Sequence, residues 1–238
     1  MRPLNSLSVK IFADGADLSS MQELYRRPYV KGFTTNPTLM RSAGVGNYRE
    51  FAQRVLRTIP DRPISFEVFS DEFEDMARQA REIASWGKNV YVKIPVTNTR
   101  GEPAYELVRC LTRAGVKVNV TAVFSLAQVR DVIDALDGGA PAYVSVFAGR
   151  IADTGHDPVP LMSAAVEMLR VAPNTELIWA SPRELLNVFQ ADEIGCHIIT
   201  VTSDILKKLS LVGKDLEDYS LDTVKMFYND ARQAGFAI

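Results

Sequence analysis

Short apolar runs rich in β-branched residues recur along the chain. Each is followed by a stretch whose apolar positions fall three and four apart. Eight such runs are present: Val9–Ala13, Lys31–Asn36, Ile64–Val68, Asn89–Pro95, Lys117–Val123, Ala142–Gly149, Glu176–Ser181 and His197–Thr202. They recur at intervals of roughly 20–35 residues, as expected of one repeated supersecondary unit. The helical spacing is plain in Asp71–Trp86, where Phe73, Met76, Ala80, Ile83 and Ala84 share one stripe. Glu102–Ala114 and Leu126–Leu136 behave alike. Strands that alternate with helices pair in parallel through crossover connections. Such strands are covered on both faces and read as near-continuous apolar runs, as YVKIPV and ELIWAS do.

Eight units in 238 residues predict an α/β fold, a single (β/α)8 TIM barrel forming one domain over residues 1–238. An open doubly wound sheet is the alternative. The lack of a Gly-x-Gly-x-x-Gly turn after the first run speaks against its dinucleotide-binding form. One C-terminal helix, within residues 220–236, is surplus to eight repeats. Leu221, Val224, Phe227, Ala231 and Ala234 give Leu221–Phe236 an apolar stripe. That stripe is expected to cover either its own barrel or a neighbouring subunit.

Composition narrows the function classes. Hydrophobic residues make up 47% and charged residues 24%, which excludes a mainly disordered chain. The formal charge is −2, so no basic footprint for nucleic acid is expected. No apolar run approaches the ~18–20 residues of a membrane span. The N-terminal residues lack the apolar core of a secretory signal. Cys110 and Cys196 form no Cys-x-x-Cys pair, and a reducing, cytoplasmic setting is expected. His156 and His197 have no partner at metal-ligand spacing, so no metal is expected.

Barrel active sites sit at the C-terminal strand ends and in the loops beyond them. The polar residues at those places are Asp14, Thr34-Thr35-Asn36, Glu67, Lys93, Asn119 with Thr121, Ser145 with Gly149-Arg150, and Ser181 with Arg183. The eighth run ends in Thr202-Ser203-Asp204, which reads as a helix cap. Lys93 is the sharpest signal, a charge inside an apolar strand, where lysine is rarely buried unpaired. Two readings follow. Lys93 pairs with Asp14 or Glu67 as a buried ion pair, or burial lowers its pKa and makes it an amine nucleophile for a carbonyl. A Schiff base needs proton carriers, and Asp14, Glu67 and Thr121 are suited to that work. Asn36 and Asn119 can hold substrate hydroxyls. Arg150 and Arg183, in late loops, point to a phosphate.

These motifs resemble those of the transaldolases, in particular the short subfamily that includes fructose 6-phosphate aldolase-like enzymes. The resemblance runs from Asp14 to about Leu209. It is carried by Gly32-Phe33-Thr34-Thr35-Asn36-Pro37-Thr38-Leu39, Val90-Tyr91-Val92-Lys93-Ile94-Pro95-Val96-Thr97, Asn119-Val120-Thr121-Ala122-Val123-Phe124-Ser125, Ser145-Val146-Phe147-Ala148-Gly149-Arg150-Ile151 and Ala180-Ser181-Pro182-Arg183. It implies a cofactor-free barrel acting on sugar phosphates. Lys93 would form the Schiff base with a ketose phosphate, and Asp14 would move the proton at the hydroxyl where the C–C bond breaks. Glu67 and Thr121 would shuttle protons at the imine. Thr34 and Asn36, Asn119 and Ser145 would belong to the substrate site, and Arg150, Ser181 and Arg183 would grip the phosphate.

Aldolase-type members resemble the rest but carry Gln in place of Glu67 and Tyr in place of Phe147, so both positions favour transfer over cleavage. Gly15 and Val146 depart from the family's usual Ser or Thr and Pro. A homo-oligomer, pentamer or decamer, is a further implication. The competing readings are a lyase that releases free dihydroxyacetone, a cofactor-free sugar-phosphate isomerase or epimerase, and a non-catalytic sugar-phosphate-binding protein.

Overall fold

The computed structural model describes residues 6–236. The chain opens with strand β1 (Lys10–Asp14), helix α1 (Leu18–Tyr25) and strand β2 (Val30–Thr34). Two helices follow, α2 (Pro37–Ser42) and α3 (Tyr48–Thr58), before β3 (Ile64–Glu67), α4 (Phe73–Ala84) and β4 (Val90–Pro95). Next come α5 (Tyr105–Arg113), β5 (Val118–Val123), α6 (Leu126–Leu136) and β6 (Ala142–Val146). The last units are α7 (Ala148–Asp153), α8 (Pro158–Met168), β7 (Thr175–Trp179), α9 (Leu186–Glu193), β8 (Ile198–Thr202), α10 (Ser203–Lys207) and α11 (Leu216–Gln233). All eight strands pair in parallel with their sequence neighbours. β8 closes on β1 through Lys10↔Ile198 to Asp14↔Thr202. The barrel is closed, and the open-sheet alternative is set aside.

Local chemistry explains the element ends. The second run stops at Thr34 rather than Asn36, because Asn36 turns to cap α2, its Oδ1 accepting from Leu39 N at 2.9 Å. Pro37 then occupies the first helical position, where a missing N–H costs nothing. α6 starts on a Ser125/Gln128 capping box and matches its predicted range. The sixth and seventh runs end earlier than the apolar pattern predicts, at Val146 and Trp179. Phe147 already stands at the N-cap position of α7, and Ser181 takes a left-handed φ of 60°. Thr202 stands at the N-cap of α10, yet its side chain makes no capping hydrogen bond, so only the position of that expected cap is kept.

The core has two parts. Outer side chains of the strands meet the apolar stripes of the helices, as Met76, Ala80 and Ile83 of α4 do. Inside the barrel, Phe12, Tyr91, Tyr143, Ile178, Ala180 and Ile198 form a second cluster. Tyr91 and Tyr143 stack there at 3.9 Å, and Phe12 meets Tyr143 edge-on at 5.8 Å. Gly32 makes this possible: a Cβ on it would lie 2.5 Å from Phe12 Cζ.

α11 begins five residues before the predicted stripe and buries none of its residues. Leu221, Val224 and Phe227 are each more than half exposed. The helix does not cover its own barrel. Among the described residues no helix is long and apolar enough to cross a membrane.

Candidate active site

A cavity of about 430 Å³ opens at the C-terminal ends of the strands. Period two along each strand decides what faces it. Asp14, Thr34, Glu67, Lys93, Thr121, Ser145 and Thr200 come from seven different strands and line the cavity together. Asn36, Phe147, Arg150 and Ser181 join them from the loops and α7.

Lys93 lies on its floor, only 6% exposed. Its Nζ is 3.0 Å from Glu67 Oε2 and donates to the Thr35 carbonyl at 3.1 Å. Lys93 is thus paired with Glu67, one of the two arrangements expected from the sequence, and it faces the cavity. Register places them side by side, since Glu67 on β3 pairs with Lys93 on β4. Asp14 is the third member. Burial raises its carboxyl above the ordinary carboxylate range, outweighing the Lys93 charge and the Thr34 hydroxyl that pull it down. Thr34 donates to Asp14 Oδ1 at 2.7 Å and lies 2.5 Å from the Thr200 hydroxyl.

Thr121 and Ser145 differ in their partners. Thr121 Oγ1 is buried with no protein partner among the described residues. It stands at a register break in β5, beside Ala122, which adopts a left-handed φ of 59°. A non-glycine residue there costs backbone strain, and such strain concentrates at functional sites. Ser145 instead donates to Asn119 Oδ1 at 2.7 Å, and Asn119 Nδ2 donates to Ser65 Oγ at 3.0 Å. Asn119 is fully buried and does not reach the cavity wall, so it orients Ser145 from below.

The two arginines also take different places. Arg150 lines the cavity with its guanidinium 5.3 Å from the Phe147 ring centre. Arg183 stands behind the wall. Its Nε donates to Asp153 Oδ1 at 2.8 Å, a second guanidinium nitrogen lies 2.5 Å from Oδ2, and another donates to Ser181 Oγ at 3.0 Å. This hydrogen bonding holds the Asp153 carboxyl below its usual range. Because Ser181 Oγ accepts from Arg183, its own proton is free to point at an anion. Gly149 lets the two loops meet, for a Cβ on it would lie 1.5 Å from the Ser181 carbonyl oxygen.

The departures at Gly15 and Val146 leave the ladder intact. Gly15 N donates to the Thr34 carbonyl at 3.1 Å, and the Val146 carbonyl accepts from Ala180 N at 2.8 Å. Thr200 is one of the wall residues that the sequence reading missed, with Thr38, Leu39, Ala122 and Ala180 among the others. It sits inside Ile-Ile-Thr-Val-Thr, where a threonine reads as an ordinary β-branched strand residue. Only its position two residues beyond Ile198 on the inward face could have found it. Among the described residues no group of three or more His, Cys, Asp or Glu side chains is placed to hold a metal ion.

Comparisons with known proteins place the chain in a family. The family model described as Transaldolase/Fructose-6-phosphate aldolase matches residues 11–238. A relative from Thermoanaerobacter sp. named "Probable transaldolase" is 35% identical over 233 residues, covering 97% of this chain and 100% of its own. One of the same name from Caldicellulosiruptor saccharolyticus is 37% identical over 204 residues, covering 85% of this chain and 89% of its own. Among solved structures, 2,3-dimethylmalate lyase superposes with a TM-score of 0.58 at 14% identity, covering 98% of this chain and 86% of that one. That likeness is one of fold. The chain belongs to the transaldolase/fructose-6-phosphate aldolase family.

Proposed function

We propose that this protein is a transaldolase that moves a dihydroxyacetone unit from a ketose phosphate, such as fructose 6-phosphate, to an aldose phosphate. The observation that carries this reading is the buried Lys93 amine, 3.0 Å from Glu67 on the floor of a cavity that also presents Asp14. Glu67 takes a proton from the Lys93 ammonium, and the freed amine attacks the C2 carbonyl. The carbinolamine loses water, with Glu67 and the unpartnered Thr121 hydroxyl moving protons at C2, directly or through a water. The iminium then draws electrons from the C3–C4 bond. Asp14 accepts the C4 hydroxyl proton, the bond breaks, and glyceraldehyde 3-phosphate leaves. The three-carbon enamine adds to the acceptor aldehyde, Asp14 returns its proton, and hydrolysis frees Lys93.

Thr34 orients Asp14, and Asn36 offers its amide nitrogen, its oxygen being committed to the α2 cap. Arg150 and the Ser181 hydroxyl, held by Arg183, supply the phosphate handle. Phe147 packs on Arg150 and brings no hydroxyl to activate water, which favours transfer over release of dihydroxyacetone. The uncovered apolar residues of α11 fit a contact with a second copy, in a pentamer or decamer as in similar short family members. Light scattering that returned a monomer would remove that part. The two free cysteines suit a reducing cytoplasm.

The test is borohydride trapping with fructose 6-phosphate, read by intact mass and peptide mapping. A reduced three-carbon adduct on Lys93 is expected, with none in Lys93→Met. No adduct from folded, ligand-binding protein overturns the Schiff-base reading in favour of an isomerase or a binding protein. Turnover that continues without erythrose 4-phosphate would mark a lyase.

A further inference from the structure

Glu67 ends β3 with its backbone N–H and C=O turned toward β2. Ser65, two residues earlier, faces the same way, and its carbonyl accepts from Thr35 N at 3.1 Å. A parallel ladder continued by one rung would bring Glu67 N–H to the Thr35 carbonyl and Glu67 C=O to the N–H of residue 37. Neither bond forms here. Glu67 N–H turns to Tyr48 while the Thr35 carbonyl accepts from Lys93 Nζ at 3.1 Å, and residue 37 is proline, which has no N–H. The backbone of Glu67 thus makes neither rung to β2.

Tyr48, the first residue of α3, supplies both. Its hydroxyl donates to the Glu67 carbonyl at 2.8 Å and accepts from Glu67 N at 2.8 Å. One O–H group thereby does the work of a missing strand rung. The ring is fixed edge-on against Phe66 at 6.2 Å, Phe69 at 5.7 Å and Trp86 at 5.6 Å. Its oxygen therefore has a set position relative to β3.

We infer that Tyr48 is a positioning residue for Glu67: its hydroxyl stands in for the β2 rung that Glu67 does not make, and so holds the carboxylate at the reacting nitrogen. This rests on the acid–base role proposed for Glu67. Proton transfer between side chains falls off steeply once hydrogen-bond distance is lost, so a small drift of the Glu67 backbone matters to rate. None of the phosphate-binding groups depends on this clamp. Its loss therefore lowers kcat and leaves KM alone.

The test uses Tyr48→Phe, which keeps the packed ring, and Tyr25→Phe, which removes a hydroxyl outside this cluster, bound to Asp61. Tyr48→Phe is expected to lower kcat about tenfold with KM for fructose 6-phosphate within about twofold. Amide exchange at Glu67 should quicken while exchange at Ser65 stays as in the wild type. Tyr25→Phe should change neither kcat nor exchange at Glu67. Wild-type kcat in Tyr48→Phe, a rise in KM alone, or an equal loss in Tyr25→Phe overturns the positioning role. If the wild-type enzyme traps no adduct on Lys93, the Schiff-base reading itself fails, and this role fails with it. A normal adduct in the wild type with an unaffected Tyr48→Phe sinks the positioning role alone.

Discussion

The two ends of the barrel interior are one pleat apart and chemically opposite. On β1, Phe12 gives way to Asp14; on β4, Tyr91 to Lys93; on β6, Tyr143 to Ser145; on β8, Ile198 to Thr200. Two residues advance a strand by only about 6–7 Å. Over that distance an interdigitated aromatic plug becomes a polar floor. The plug is satisfied by packing. The floor places Lys93, Glu67 and Asp14 in a site where desolvation works against charge, and each group leans on the others. The difference teaches what each end is for. The plug is a closely packed base, and the floor is a polar set in which burial works against charge at Asp14.

Truncation in the plug gives the largest effect on the fold. Phe12 is 1% exposed, and its ring fills the space above Gly32. Phe12→Ala removes that ring from a site that cannot collapse, because the closed barrel fixes the surrounding strands. A loss of about 3–5 kcal/mol is expected, read as a fall in Tm and denaturation midpoint. Turnover per folded molecule should change far less. A variant with normal Tm but poor kcat would break the division between the ends.

A smaller effect, and one on binding alone, is expected at the rim. Asp153 and Arg183 are both well exposed, and exposed pairs contribute little to stability. Their value is positional, since Arg183 holds the Ser181 hydroxyl. Asp153→Ala should leave Tm unchanged and raise KM for fructose 6-phosphate about threefold to tenfold. The KM of an unphosphorylated donor such as dihydroxyacetone should stay put. Equal changes for both donors would show that the pair does not serve the phosphate.

The eight strands were legible because parallel barrel strands are apolar on both sides, and any polar residue inside them stands out. Lys93 and Glu67 stood out in this way. Thr200 did not, because a hydroxyl in a β-branched run carries no mark of which face it takes. Asn119 was legible as a polar strand residue but not as a buried one; its place below Ser145 depends on Ser65 of another strand. Tyr48 was invisible for a different reason. Its partner is the backbone of Glu67, and no side-chain pattern records that Glu67 lacks its rung to β2. The α11 stripe could be read, yet what it packs against could not, since periodicity names a face and never its partner.

The last way to sharpen the comparison is to remove the charge that the polar floor tolerates least. Asp14 has its carboxyl pKa raised above the ordinary 3.8, chiefly by burial. A raised pKa means that the folded state binds the proton more tightly than the unfolded chain does. The stability tied to this group is thus fully present below about 3.8 and is lost as pH rises through the raised value. Asp14→Asn, always neutral, does not suffer that loss. Its Tm relative to wild type should therefore climb with pH above about 4 and level off once wild-type Asp14 is ionised. Lys93 does not become an orphan in this variant, because Glu67 at 3.0 Å and the Thr35 carbonyl at 3.1 Å remain. Under the proposed mechanism the same substitution should stop turnover, since the C4 hydroxyl would lose its proton acceptor. A Tm difference that stayed flat from pH 4 to 8, or fell, would mean that the Lys93 charge outweighs burial at Asp14, and that the floor is stabilised by its charges rather than strained by them.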